Sequence, residues 1–214
     1  MRHVLFLALL FTACAHQQEF PGIETSMPVY PAYAQREAGV DLRSSEIRAA
    51  SYRACAAVPV TSRILATSRG MFGHDAGFDA GFWRETIFVS IAGEPILVTG
   101  HPLYDSETGL VFVPSPRALA PAVPRSIQIA EDEKIVLQGF VFKGEGASLN
   151  KPLDVNLIRR SPTIHPQDPE MCGAGVYDVD GIFLGIMAED DKGHNRFVPV
   201  ATVLAALKRV SPPH

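Results

Sequence analysis

The sequence predicts an all-β domain of the sandwich or barrel type. Three observations carry this. From Cys55 to the end of the chain, short apolar runs alternate with turn residues. Between Glu170 and Met187 two apolar arms flank Asp180-Gly181, the pattern of a β-hairpin. Only one stretch, 199–209, carries a good helical pattern, with Pro199 near its first turn and an apolar face of Val203, Leu204 and Leu207.

The elements follow in chain order. Arg2 and His3 precede the apolar run from Val4 to Phe11 and the small residues Thr12-Ala13, so residues 1–14 read as a signal peptide too short to span a bilayer as a helix. Phe11-Thr12-Ala13-Cys14 also resembles a bacterial lipobox, with Phe where Leu is usual, and an acylated Cys14 would tether the chain to a membrane. The protein is then exported to the cell envelope or secreted, into an oxidising compartment. Residues 15–46 are polar and punctuated by prolines, with no strand or helix period, and read as a flexible tether. A short helix capped by Ser44 or Ser45 is expected over 45–53. Strands are expected at 57–60, 63–67, 86–92, 96–100, 110–113, 134–142, 155–159, 175–177, 182–188 and 196–198. The tandem Asp75-Ala76-Gly77-Phe78 and Asp79-Ala80-Gly81-Phe82 is too short for a solenoid and reads as a surface loop.

The 214 residues suit one domain with enough apolar content for a core, and the net charge of −4, without a long basic run, argues against a nucleic-acid partner. No Cys/His cluster has zinc spacing, and neither a metal nor a cofactor is expected. Beyond Cys14, only Cys55 and Cys172 remain, enough for one bridge.

Glu170-Met171-Cys172-Gly173-Ala174-Gly175, followed by a short strand, a turn with Gly and an apolar strand ending in Gly185-Ile186, resembles the nucleophile segment of the chymotrypsin/trypsin-like serine peptidases. Cys55-Ala56-Ala57-Val58 lies where that family has CGG-S/T-L, and the stretch from Ser62 to Met71 lies on its WVLTAAHC. His101-Pro102-Leu103-Tyr104 matches its HPxY, Gly109-Leu110-Val111-Phe112-Val113 its NDIALLKL, and Ile135 to Phe140 the strand that opens its second barrel. The resemblance runs from Cys55 to the C-terminus. It implies two six-stranded β-barrels, about 47–130 and 131–214, with a C-terminal helix and a cleft between the barrels.

The same resemblance implies that the catalytic triad is gone. Acyl transfer on this fold needs a nucleophile, a base, a carboxylate that orients the base and N–H donors for the oxyanion. By the match Cys172 stands at the nucleophile, Arg69 at the base and Gly109 at the orienting Asp. Arginine keeps its proton and cannot act as that base, and glycine offers no side chain. Met171 and Glu170 replace the Asp and Gly before the nucleophile, Ala174 replaces the second Gly after it, and Pro166 falls where trypsins carry their pocket Asp. The implied protein is a peptidase homologue that binds or regulates, with a protein or peptide partner in the former cleft.

The alternative is an active endopeptidase with Cys172 as nucleophile and, as base, either His101 with Asp105 or Asp132 as its partner, or His74. His165 and His194 read as loop residues, and Asp154 lies too close to Cys172 to serve. The half-cystine matched by Cys55 lies beside the nucleophile in the family, which implies that Cys55 and Cys172 are near enough to bridge. Such a bond would seal the site and contribute roughly 4 kcal/mol on the chain-entropy model. Two buried free thiols are the other outcome.

Overall fold

A computed structural model describes residues 27–38, 49–72, 83–125, 135–142, 155–160, 172–190 and 192–211. Its fold is all-β, with one C-terminal helix. Seven strands, β1 (Tyr30–Ala38), β2 (Ala49–Pro59), β3 (Ile64–Ser68), β4 (Trp83–Ile91), β5 (Glu94–Leu97), β6 (Leu103–Asp105) and β7 (Leu110–Pro114), form one antiparallel sheet in the order β5-β4-β1-β2-β3-β7-β6. Five more, β8 (Ile135–Phe142), β9 (Val155–Arg160), β10 (Gly175–Asp178), β11 (Phe183–Glu189) and β12 (Asn195–Pro199), form a second in the order β12-β11-β10-β8-β9. The described strands thus divide seven and five, where six and six were expected.

Both faces of the inner strands are covered, and the period of two distributes their side chains between cores. On β7, Leu110 and Phe112 enter a core shared by the two sheets, while Val111 and Val113 enter a core of the first sheet that Cys172 also joins. On β11, Phe183, Ile186 and Ala188 join the shared core, and Leu184 and Met187 join a third cluster with Leu137 and Val176. That assignment breaks strict alternation after Leu184, because the β10–β11 register shifts between Val176 and Tyr177 and inserts a bulge. Gly185 sits at the bulge, where a Cβ would collide with the Val198 carbonyl and the Phe197 ring. All seven residues of β11 are buried, which explains why its sequence reads as a nearly unbroken apolar run.

Two sequence expectations for the N-terminal part are overturned. Residues 30–38, inside the stretch read as a tether, are β1, which pairs with β2 on one side and β4 on the other. The strand was hidden because Ala32 and Ala34, which it buries, are small; Tyr30 packs partly buried against the same core, and Tyr33 stacks on Phe88 at 5.1 Å between ring centroids. Pro31 is tolerated because pairing to β4 begins one residue later, at Ala32. Residues 49–53, read as part of a helix, belong instead to β2. Their partners across the ladder are 34–38 of β1, a tertiary pairing that overrides the local signal.

The chain is fastened ahead of β1 as well. Met27 is fully buried in the shared core, and its carbonyl accepts a hydrogen bond from the Gln138 amide at 2.6 Å. The next carbonyl, of Pro28, accepts the Tyr177 hydroxyl at 2.7 Å. Both donors come from the second sheet, so this arm crosses from one sheet to the other just before β1. Burial pushes the Tyr177 hydroxyl far above its ordinary pKa and keeps it a donor.

Helix α1 (Val200–Val210) starts after Pro199, whose extended backbone occupies the N-cap. Val200, Val203 and Ala206 face the core, with Leu207 and Val210 partly buried. Leu204, expected on the apolar face, points to solvent at 39% exposure, because the helix docks through the small Ala206 rather than through Leu204. A second contact orients it. Arg209 holds both oxygens of the buried Asp105 on β6, Nε to Oδ1 at 2.9 Å and Nη2 to Oδ2 at 2.9 Å. The Thr108 backbone N–H and hydroxyl also donate to Asp105. Burial by itself would raise the Asp105 pKa, but the hydrogen bonds from Thr108 and Arg209 outweigh it and hold the group below its usual range.

Two predictions follow from these fastenings. Met27→Ala removes a fully buried side chain and is expected to lower stability by about 3 kcal/mol, read by denaturant unfolding. The depressed Asp105 pKa contributes stability above the ordinary carboxylate value, about 3.9, and that contribution is lost as pH falls through the lower folded value. Asp105→Asn should therefore melt earlier than wild type at neutral pH, by about 2 kcal/mol, with the difference shrinking in acid.

Candidate functional site

The segments that resemble peptidase motifs converge where the end of β3 meets the start of β10. Cys55 lies on β2 opposite Ala32, and Cys172 lies in the turn that leads into β10. The two are joined by a disulfide with Cα atoms 4.9 Å apart, across a sequence separation of 117 residues. The bond ties the first sheet to the second.

The backbones around it approach closely. Ala56 N–H donates to the Cys172 carbonyl at 2.8 Å, and Gly173 N–H donates to the Met187 carbonyl at 2.9 Å. Gly173 has φ +70°, and a Cβ on it would collide with the Ala56 carbonyl and approach the Thr67 hydroxyl at 2.8 Å. Only glycine satisfies both the left-handed backbone and the lack of space. The Thr67 hydroxyl donates to the Ala56 carbonyl at 2.7 Å. The Ser68 hydroxyl oxygen accepts two N–H groups, from Glu189 at 2.8 Å and from Gly70 at 3.2 Å. Thr67 and Ser68 are fully buried polar residues whose partners lie on other elements, which is why their role was invisible in the sequence.

Arg69 opens a single 3-10 turn, Arg69–Phe72, directly after β3. Its backbone N–H donates to the Gly109 carbonyl at 2.9 Å and its guanidinium Nη2 donates to the Asp190 carbonyl at 3.0 Å. The side chain thereby connects β3 to the end of β11. Gly109, in the turn before β7, has φ +72°, and a Cβ there would collide with the Glu189 carbonyl. The position matched to the orienting Asp therefore has no room for a side chain. Gly70 is equally constrained, since a Cβ would meet the Glu189 carboxylate and lie 2.9 Å from Cys172 Sγ. Sequence reasoning did not single out Glu189 or Asp190, because nothing local marks them.

The remaining candidates lie elsewhere. His101 is exposed on the connection between β5 and β6, the two outer strands of the first sheet. Asp105, weighed as a partner for that histidine, is engaged by Arg209 and Thr108 instead. His194 is exposed, with Nδ1 3.8 Å from the Asp190 carboxylate. That carboxylate also accepts the backbone N–H groups of Lys192 at 2.8 Å and His194 at 2.9 Å. The His194 N–H is the main cause that lowers the Asp190 pKa; desolvation opposes it, and the Lys192 N–H and the charges of His194 and Arg196 add to the lowering. Cys14, His74, Asp132, Asp154, His165, Pro166, Glu170 and Met171 lie outside the described residues. Among the described residues no cluster of three or more His, Cys, Asp or Glu could hold a metal ion.

Two sheets joined through this arrangement, followed by a C-terminal helix, make up the fold of the trypsin-like serine proteases. The Rv3671c protease of M. tuberculosis in its active form matches with 12% identity over 91% of this chain and 86% of that one, at a TM-score of 0.53. An HtrA-type protease, AlgW, solved with a decapeptide, matches with 13% identity over 86% of this chain and 64% of that one, at a TM-score of 0.51. Deg5 matches with 14% identity over 85% and 87%, at 0.50. At these identities the likeness is one of fold. Neither a protein-family model nor a curated protein matches the sequence.

The inter-sheet bond closes a long loop, which the chain-entropy model values at about 5 kcal/mol. Replacing both cysteines by alanine is expected to lower the unfolding free energy by an amount of that order, read by denaturant unfolding, while leaving the far-ultraviolet circular dichroism unchanged. Gly173→Ala is expected to cost more than 3 kcal/mol, through both the backbone conformation and the collision with Ala56.

Proposed function

We propose that this chain is an exported trypsin-fold protein that does not cleave peptides and acts as a binding or regulatory domain held at a membrane through Cys14. One observation carries the reading: the sulfur matched to the nucleophile is bonded to Cys55. Gly109, matched to the orienting Asp, has no room for a carboxylate. A disulfide sulfur has no thiolate with which to attack a peptide carbonyl. Arg69, where the base would be, keeps its proton and already donates to the Asp190 carbonyl. The residues of the former triad thus serve as fasteners between sheets.

A peptide or protein segment is the ligand class proposed for the old cleft, in keeping with the fold and with AlgW, which has been solved with a decapeptide. The apolar leader and the Phe11-Thr12-Ala13-Cys14 sequence support export and lipid attachment. Twelve residues, 15–26, separate Cys14 from the buried Met27. At no more than about 3.5 Å per residue, an acylated Cys14 keeps the domain within roughly 40 Å of the bilayer.

Incubation of the mature protein with a peptide library and with casein, oxidised and reduced, is expected to give no cleavage above buffer in either state. Cleavage that disappears in Cys172→Ser would overturn the reading and restore the endopeptidase alternative with His101 or His74 as base. Cys14→Ser is expected to move the protein from the membrane fraction to the soluble one; wild type already in the soluble fraction with an unmodified Cys14 would overturn the anchor.

A further inference from the structure

The disulfide is asymmetric in its surroundings. Both cysteines belong to one core with Ala32, Leu65 and Met71, Cys55 at 1% exposure on β2 and Cys172 at 7% in the turn before β10. Thiol–disulfide exchange proceeds by attack of a thiolate on one sulfur, in line with the S–S bond, while the other sulfur leaves. Access therefore favours Cys172 as the sulfur attacked and Cys55 as the leaving group.

The turn that carries Cys172 is held independently of the disulfide. Its carbonyl accepts Ala56 N–H at 2.8 Å, Gly173 N–H reaches the Met187 carbonyl at 2.9 Å, and Met187 N–H reaches the Ala174 carbonyl at 2.9 Å. Around it the shared core buries Val58, Ala66 and Phe112 of the first sheet against Tyr177, Phe183 and Ile186 of the second. None of these contacts involves the S–S bond.

From this asymmetry and these independent fastenings we propose that Cys55–Cys172 is an exchangeable disulfide, entered at Cys172 by a dithiol partner, which opens and closes the sealed site without unfolding the domain. A thiolate of the partner attacks Cys172 Sγ and forms a mixed disulfide, and the electron pair of the broken bond goes to Cys55 Sγ, which takes up a proton. The partner's second thiol, as its thiolate, then attacks the partner's own sulfur in the mixed disulfide and releases Cys172, which takes up a proton in turn. The protein gains two thiols and the dithiol becomes a disulfide. The proposal stands whether or not peptides are cleaved, since it concerns only the bond and its access.

The test is native-state reduction of the mature protein. Reduction by dithiothreitol is expected to be first order in reductant and at least tenfold faster than global unfolding measured under the same conditions. Glutathione followed by acid quench and digestion is expected to place the trapped mixed disulfide on Cys172, and the fully reduced protein is expected to keep a single cooperative melt at a lower temperature. A reduction rate independent of reductant and equal to the unfolding rate overturns the proposal, as does an adduct on Cys55 or a reduced protein without a cooperative melt. In Cys55→Ser, the Cys172 thiol is expected to react with a maleimide in the native state, whereas Cys55 in Cys172→Ser reacts only on unfolding; equal native labelling of both also overturns it.

Discussion

The two sheets meet at a place where backbone touches backbone, and most of the local design serves that approach. Ala56 on β2 and the turn at Cys172–Gly173 exchange a hydrogen bond, and the Ala56 carbonyl occupies the space where Gly173 would otherwise carry a Cβ. Buried main-chain groups must be paired, and here the pairing is completed by the hydroxyls of Thr67 and Ser68. Glycine at 70, 109 and 173 is required because carbonyl, carboxylate and sulfur atoms fill the volumes a side chain would take. The disulfide is added to a junction already closed by hydrogen bonds and packing.

This junction bears on the proposed loss of the triad. A peptidase fold that had lost only its nucleophile would keep a base and an orienting carboxylate in place. Here the matched positions make other contacts. Arg69 reaches across to the Asp190 carbonyl, and the turn at Gly109 accommodates the Glu189 carbonyl. Acyl transfer depends on several groups held in one geometry, and restoring one residue at Gly109 would require moving β11. The same elements that position catalysis in a protease can therefore act as structural cross-links when their side chains change.

Much of the second sheet was legible in the sequence because its strands are short, strongly apolar and separated by turn residues. Asp180-Gly181 marked the β10–β11 hairpin, and the 200–210 helix announced itself through Pro199 and its apolar period. The first sheet was harder. β1 buries alanines and begins at a tyrosine–proline pair, so neither hydrophobicity nor period distinguishes it from a tether. The first residues of β2 carry a helix-compatible composition and become strand only because β1 lies alongside. Leu204 looked like a core residue on the helical period, yet docking through Ala206 turns it outward.

By itself the sequence determined the all-β class, most of the strands and the C-terminal helix, and its resemblance matched Arg69 and Gly109 to the family's base and carboxylate positions. Those follow from local pattern and from the chemistry of single residues, which a chain carries wherever it folds. Only the tertiary structure decided that Met27–Ala38 belongs to the domain, that Asp105 is held by Arg209, and that Glu189, Asp190, Thr67 and Ser68 complete the junction. It also joined Cys55 to Cys172 across 117 residues of chain. Each of these is a long-range pairing, set by which backbone groups and volumes meet once both sheets have formed, and neighbouring residues along the chain hold no record of that meeting.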